Sequence, residues 1–136
     1  MFAFFKWNVN RYTTDAFACS KPSGNMLYTG KLQKSFDVIY NGIDTDKFAF
    51  NKQKRQIINS ELNLGDGPII GHVGRFAPVK NHIFIIDVFN EFLKLYPNAK
   101  LLLVGTGNTL VQTKDKVKAL GIDNSVIFLG SRTDVD

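Results

Sequence analysis

The residues best suited to chemistry are two cations that bracket a short turn: Arg75 and Lys80, in the stretch Ile69-Ile70-Gly71-His72-Val73-Gly74-Arg75-Phe76-Ala77-Pro78-Val79-Lys80-Asn81-His82. A guanidinium grips two phosphate oxygens at once, and an ammonium is a compact point charge. The apolar run before them reads as a buried strand over 69–74. The pattern after them reads as a helix over about 78–95, with Lys80 in its first turn. Backbone N–H groups at a helix start attract anions, and ligands of open α/β sheets settle at the carboxyl ends of strands. An anion site, with phosphate as the occupant, is therefore expected at Gly74, Arg75 and Lys80. Gly74 lets a phosphate or a backbone approach closely. Gly71 is read as strand–helix packing.

The other polar clusters support weaker readings. Asp44-Thr45-Asp46 has the spacing of a divalent-metal pair, yet it follows an Asn41-Gly42 turn, so a turn or cap role is preferred. No His/Cys/Asp/Glu group has metal-ligand spacing. His72 and His82 are each read as structural histidines with satisfied ring nitrogens, His82 near enough to the cations to contribute weakly. Gly105-Thr106-Gly107-Asn108 lacks the final glycine of a dinucleotide fingerprint and follows the wrong strand, so it reads as a plain strand-to-helix turn. Cys19, the single cysteine, permits no intrachain disulfide; it is read as a small buried hydrophobe.

These side chains need a scaffold, and the patterning supplies one. Residues 2–14 read as an amphipathic helix and 16–19 as a short buried strand. Ser20 caps a helix that begins near Pro22 and stops at Gly30. A strand covers 37–40 and a helix about 52–62, where Ile57, Ile58 and Leu62 share a face. After Pro68 the order is regular: strand 69–74, helix 78–95, strand 100–104, a helix through Leu120 with Gly121 as its cap, and strand 126–130. A βαβαβ order with near-continuous apolar strands predicts a parallel sheet. The fold class expected is α/β, a half Rossmann-like sheet preceded by the tail of another such domain.

Composition narrows the class. The chain has 136 residues, 44% hydrophobic and 21% charged, with a formal net charge of +5. That is the balance of a globular protein. The positive charges form no run, so no nucleic-acid face is expected. No apolar run approaches the roughly 20 residues of a membrane span. The start, Met1-Phe2-Ala3-Phe4-Phe5-Lys6-Trp7, is not read as a signal peptide. It is read as a helix packed on protein, with contact at a membrane surface as the rival. A cytoplasmic setting, at most peripheral to the membrane's inner face, is expected.

Five segments in order carry a family resemblance: Ala18-Cys19-Ser20; Val38-Ile39-Tyr40-Asn41-Gly42-Ile43-Asp44 with Phe48; Gly74-Arg75-Phe76 with Lys80-Asn81; Val104-Gly105-Thr106-Gly107; and Val126-Ile127-Phe128-Leu129-Gly130. The chain resembles the middle of a retaining glycosyltransferase of family 4, with the two-domain GT-B fold, and is similar to bacterial capsular and exopolysaccharide enzymes. The resemblance implies that residues 1–44 close an acceptor-side domain and that 45–136 open the donor domain. It implies a nucleotide-sugar donor, a UDP-sugar first, a glycan or lipid-linked acceptor, and no metal requirement. Arg75 and Lys80 would hold the diphosphate, and Arg132 and Asp134 would lie near the base. The family's E-x7-E segment is missing: Glu61 and Glu91 are the only glutamates and form no such motif. The stretch is therefore read as a piece of a longer enzyme, inactive by itself. Its rival is a nucleotide-binding module without catalysis.

Overall fold

The computed structural model describes residues 2–135; Met1 and Asp136, the outermost residues of the two expected segments, lie outside the described residues. The chain forms two compact units, Met1–Phe48 and Ala49–Asp136.

In the first unit, α1 spans Phe2–Tyr12, β1 Phe17–Ala18, α2 Lys21–Leu27, α3 Gly30–Ser35 and β2 Asp37–Val38. The strands β1 and β2 pair in parallel, Phe17 opposite Asp37. Ser20 caps α2 by accepting a hydrogen bond from the Ser23 amide, with proline in the first turn. Asn10 ties α1 to the junction of α2 and α3: its amide donates to Leu27 O at 3.0 Å, and its Oδ1 accepts from Thr29 N at 2.6 Å. Gly24 is the point where the Phe36 ring crosses α2, since a Cβ there would lie 2.3 Å from that ring.

Three expectations need correction in this unit. The helix begun at Ser20 ends at Leu27, because Gly30, with φ +58°, opens α3 instead of closing α2. The strand expected over 16–19 is reduced to two residues, and its neighbour over 37–40 likewise. Cys19 is exposed, because only Ala16 of that stretch is covered.

In the second unit, α4 spans Lys52–Glu61, β3 Ile69–Val73, α5 His82–Leu95, β4 Lys100–Val104, α6 Leu110–Ala119 and β5 Val126–Gly130. Asn51 caps α4 through its Oδ1, which accepts from Lys54 N at 2.9 Å. The three strands form one parallel sheet in the order β3-β4-β5, with Ile70 opposite Leu101 and Leu102 opposite Ile127. Alternation along the strands sorts side chains to two faces. Leu101, Leu103 and Val126 join Phe76, Ile86, Phe89 and Val117 in the core beneath α5 and α6. Leu102 and Ile69 face the other way, toward Ile58 of α4. Gly121, at φ +65°, follows α6 as expected.

The strand expected to be buried, β3, is an edge strand, with Val73 61% exposed. Within the described sheet only β4 has neighbours on both sides, and its Leu101 and Leu103 are fully covered. Gly71 has nothing within 4 Å of the position a Cβ would take, so the packing role expected for it is absent.

Candidate functional site

The site is built where the strands run out. Past Val73, Gly74 N donates to Val104 O at 2.9 Å and Phe76 N to Thr106 O at 2.8 Å. Gly105 N donates to Gly130 O at 2.6 Å, and Thr109 N to Phe76 O at 3.2 Å. The loop after β3 is thus laced to the loop after β4. This lacing explains the two glycines of the second loop. A Cβ on Gly105 would stand 2.1 Å from Gly74 O, and one on Gly107 2.2 Å from Phe76 O. They make room for backbone.

Phe76 anchors the first loop. Its side chain is 1% exposed, stacked on the His82 ring at 4.0 Å and tilted against Phe128 at 6.1 Å. With Phe76 turned inward, Arg75 is left on the surface, and Lys80 is exposed as well. Lys80 does not sit in the first turn of the helix. Pro78–Lys80 form a separate 3-10 turn, and Asn81, at φ 47°, breaks the chain direction before α5 begins at His82. Asparagine is among the few non-glycine residues that take this left-handed conformation readily. Asn81 O then accepts from Phe84 N and Ile85 N, and no side chain caps α5.

The structure therefore sets Lys80 Cδ 3.8 Å from the point where a Gly74 side chain would begin, with Arg75 following Gly74 in the same loop at the carboxyl end of β3. The positions flanking Gly74 are filled by side-chain tips. A Cβ there would meet His72 Nε2 at 3.0 Å and Lys80 Cδ at 3.8 Å. Among the described residues, neither the Arg75 guanidinium nor the Lys80 ammonium has a hydrogen bond or an ion pair. Both cations are available to an anion.

Arg132 and Asp134 behave differently. Arg132 Nε donates to Asp134 Oδ1 at 2.9 Å and its Nη2 to Asp134 Oδ2 at 2.6 Å, while Nη1 approaches Glu61 at 3.5 Å. The hydrogen bonds with Asp134 raise the Arg132 pKa and hold the Asp134 carboxyl below its ordinary range. Together they rim a hollow of about 210 Å³ lined by Ile58, Leu62, Gly71 and Leu102. Among the described residues Arg132 is thus a partnered cation, while the Arg75 and Lys80 side chains are unpartnered.

The two histidines depart from expectation. His82 is the first residue of α5, not one turn inside it, and is 2% exposed. Neither of its ring nitrogens has a partner, and His72 Nε2 is buried and unpartnered too. The two rings meet edge to face at 4.9 Å. Burial, then His72, then Lys80 lower the pKa of His82. Nothing in the one-dimensional pattern signals this meeting, because it depends on the break at Asn81.

Asp44 accepts from Asp46 N at 3.2 Å and Lys47 N at 3.3 Å, so its Oδ1 closes a turn. Among the described residues no group of three or more His, Cys, Asp or Glu is placed to hold a metal ion. No described helix is long and apolar enough to cross a membrane. A hollow of about 730 Å³ opens at the amino ends of the strands, around Gly65, Pro68, Asn98 and Ser125. It lies at the opposite end of the sheet from Arg75 and Lys80.

A parallel sheet with alternating helices and a cationic loop at its carboxyl end is the class of Rossmann-like ligand-binding folds. Comparison with known proteins makes this specific. The family profile "Glycosyl transferases group 1" matches residues 53–136, and the chain belongs to that family. The putative glycosyltransferase EpsF of Bacillus subtilis (strain 168) is 28% identical over 117 residues, which is 84% of this chain and 30% of the relative. The N-acetyl-alpha-D-glucosaminyl L-malate synthase of Bacillus anthracis is 32% identical over 77% of this chain and 27% of the relative. The Anabaena HepE structure in complex with UDP-glucose superposes with a TM-score of 0.85 and 23% identity, over 98% of this chain and 37% of that one. The fold is therefore a partial GT-B fold. The chain spans between 27% and 37% of the length of these relatives.

Proposed function

We propose that this chain holds the donor for a glycosyltransferase, one that moves a sugar from a UDP-sugar to a glycan or lipid-linked acceptor in polysaccharide biosynthesis, with retention of anomeric configuration. The observation that carries the proposal is the unpartnered pair Arg75 and Lys80 in the loop that precedes α5. When the glycosidic bond to the donor phosphate breaks, negative charge grows on the departing diphosphate. Fixed cations and a helix start placed beforehand stabilise that charge as it forms. Arg75 grips two oxygens and Lys80 a third. Gly74 brings the backbone close. Arg132 and Asp134, rimming their own hollow, would meet the base. The Anabaena protein whose structure holds UDP-glucose supports UDP as the carrier.

Residues 1–44 then belong to the acceptor side and 45–136 to the donor side. We place the reaction in the cytoplasm. The exposed Phe4, Phe5 and Trp7 of α1, beside Lys6, support contact with a membrane surface.

Hydrogen exchange with and without UDP-glucose tests the reading. Protection is expected in the segment 74–85. Protection confined to the amino ends of the strands, around 63–68 and 96–98, would defeat it.

A further inference from the structure

Buried polar atoms are normally hydrogen-bonded, and each exception calls for an explanation. The chain concentrates three such atoms in one spot: His82 Nδ1, His82 Nε2 and His72 Nε2. His82 is fixed there by the Phe76 stack at 4.0 Å, with the planes 13° apart, and by the His72 edge at 4.9 Å. The spot adjoins the anion loop. His72 Nε2 and Lys80 Cδ both lie within 4 Å of the point where a Gly74 side chain would begin.

We propose that His72 and His82 are the proton-accepting part of this anion site: one of the two imidazoles takes a proton from solvent when a diphosphate settles beside Arg75 and Lys80, adding a third cation that the free protein does not keep. The inference rests on the reading of Arg75 and Lys80 as the diphosphate site.

The charges around the pair decide the direction. From β3 comes His72 itself, and from the loop comes Lys80. On α5 the carboxylates are committed, Asp87 to Lys116 of α6 and Glu91 to Lys94. From α6, Lys114 stands over Phe128, which lies beyond Phe76. Thr113 of α6 gives its hydroxyl to Thr109 O, and the Thr109 hydroxyl is neutral. A positive charge on His82 is therefore opposed by burial, by His72 and by Lys80. The lowered pKa of His82 has these causes: burial, His72 and Lys80. A diphosphate diester is a dianion, and it reverses the sign of that field. An opposite charge within about 4–6 Å favours the charged form of a titrating group by a unit or more. The proton adds to an imidazole nitrogen lone pair, no bond in the ligand breaks, and the buffer supplies the proton.

These are the only two histidines in the chain, so the untagged, histidine-labelled protein reports the pair directly. Imidazole nitrogen resonances are followed against pH, alone and with saturating UDP-glucose, whose diester phosphates have no ionisation near neutrality. H72Q assigns the two signals. The expected result is a titration midpoint that rises by about one pH unit in the complex, a ~tenfold gain in proton affinity. Linkage then makes UDP-glucose bind more tightly as pH falls through that range. Binding that leaves the midpoint unmoved would overturn the proton-uptake inference and leave the diphosphate reading standing. Absence of UDP-glucose binding would overturn both.

Discussion

Replacing Gly107 with alanine should damage the site through the backbone that carries Arg75. Gly107 has φ +151°, and its added Cβ would fall 2.2 Å from Phe76 O and 2.9 Å from Phe76 N. Those are backbone atoms of another segment, so no flexible side chain can yield. The loop carrying Arg75 must move. Moving it breaks the bonds from Phe76 N to Thr106 O and from Thr109 N to Phe76 O, each worth about 1 kcal/mol. The backbone conformation adds about 1–3 kcal/mol of strain for a residue with a Cβ. The expected loss is about 3–5 kcal/mol, a large part of a domain's typical ~5–15 kcal/mol. Gly71 supplies the control. Nothing lies within 4 Å of its Cβ position and its φ is not left-handed, so Gly71→Ala should be neutral or stabilise by about 0.5 kcal/mol. Urea unfolding followed by circular dichroism reads both, the Gly107 variant losing about 2 M in midpoint at ordinary urea slopes. A Gly107→Ala protein within 1 kcal/mol of the parent, or a Gly71→Ala protein equally damaged, would refute the laced-loop geometry.

Other outcomes follow from the same contacts. The folded state disfavours protonated His82, so the unfolded chain binds the extra proton; stability should be full above the ordinary histidine value of 6.5 and fall as pH drops below it, and this loss should shrink in His82→Gln. Asp134 is held below 3.8 by its hydrogen bonds from Arg132, so that pair should contribute above that value and fade as pH falls through the folded pKa, a change absent in Asp134→Asn acid titrations. Phe89, 1% exposed in the core beneath α5, should cost about 3–5 kcal/mol when cut to alanine, measured by denaturant unfolding. The unpaired outer edges of β3 and β5 within the described sheet should drive self-association; sedimentation showing a monomer at all concentrations would contradict that.

Much of the scaffold was legible because its signals are local. Apolar runs and the turn residues around them mark β3, β4 and β5, Ser20 marks the start of α2, and Gly121 marks the end of α6. The errors come where meaning depends on distant partners. Gly30 is as good at opening a helix as at closing one, and which it does is set by partners outside its own sequence, such as Asn10 Oδ1, which accepts from Thr29 N just before it. The apolar run of β3 suggests burial, yet a strand's exposure is set by how many neighbours it has in the sheet. The helical spacing of Ile85, Ile86 and Phe89 extends backward past Asn81 on paper, so the left-handed break there went unseen. Arg75 and Lys80 can be read from the sequence as two cations after β3, and the absence of partners for their side chains cannot. Arg132 carries the same charge and is committed to Asp134 and to Glu61 of α4.

Calorimetric titration of the chain with UDP-glucose, repeated for Arg75→Ala and Lys80→Ala, tests the central claim most directly. Each variant should bind about 10–100-fold more weakly, the scale of a charge-assisted hydrogen bond lost, while Lys94→Ala, whose ammonium is paired with Glu91, should bind as the parent does. Parental affinity in both loop variants would contradict the account.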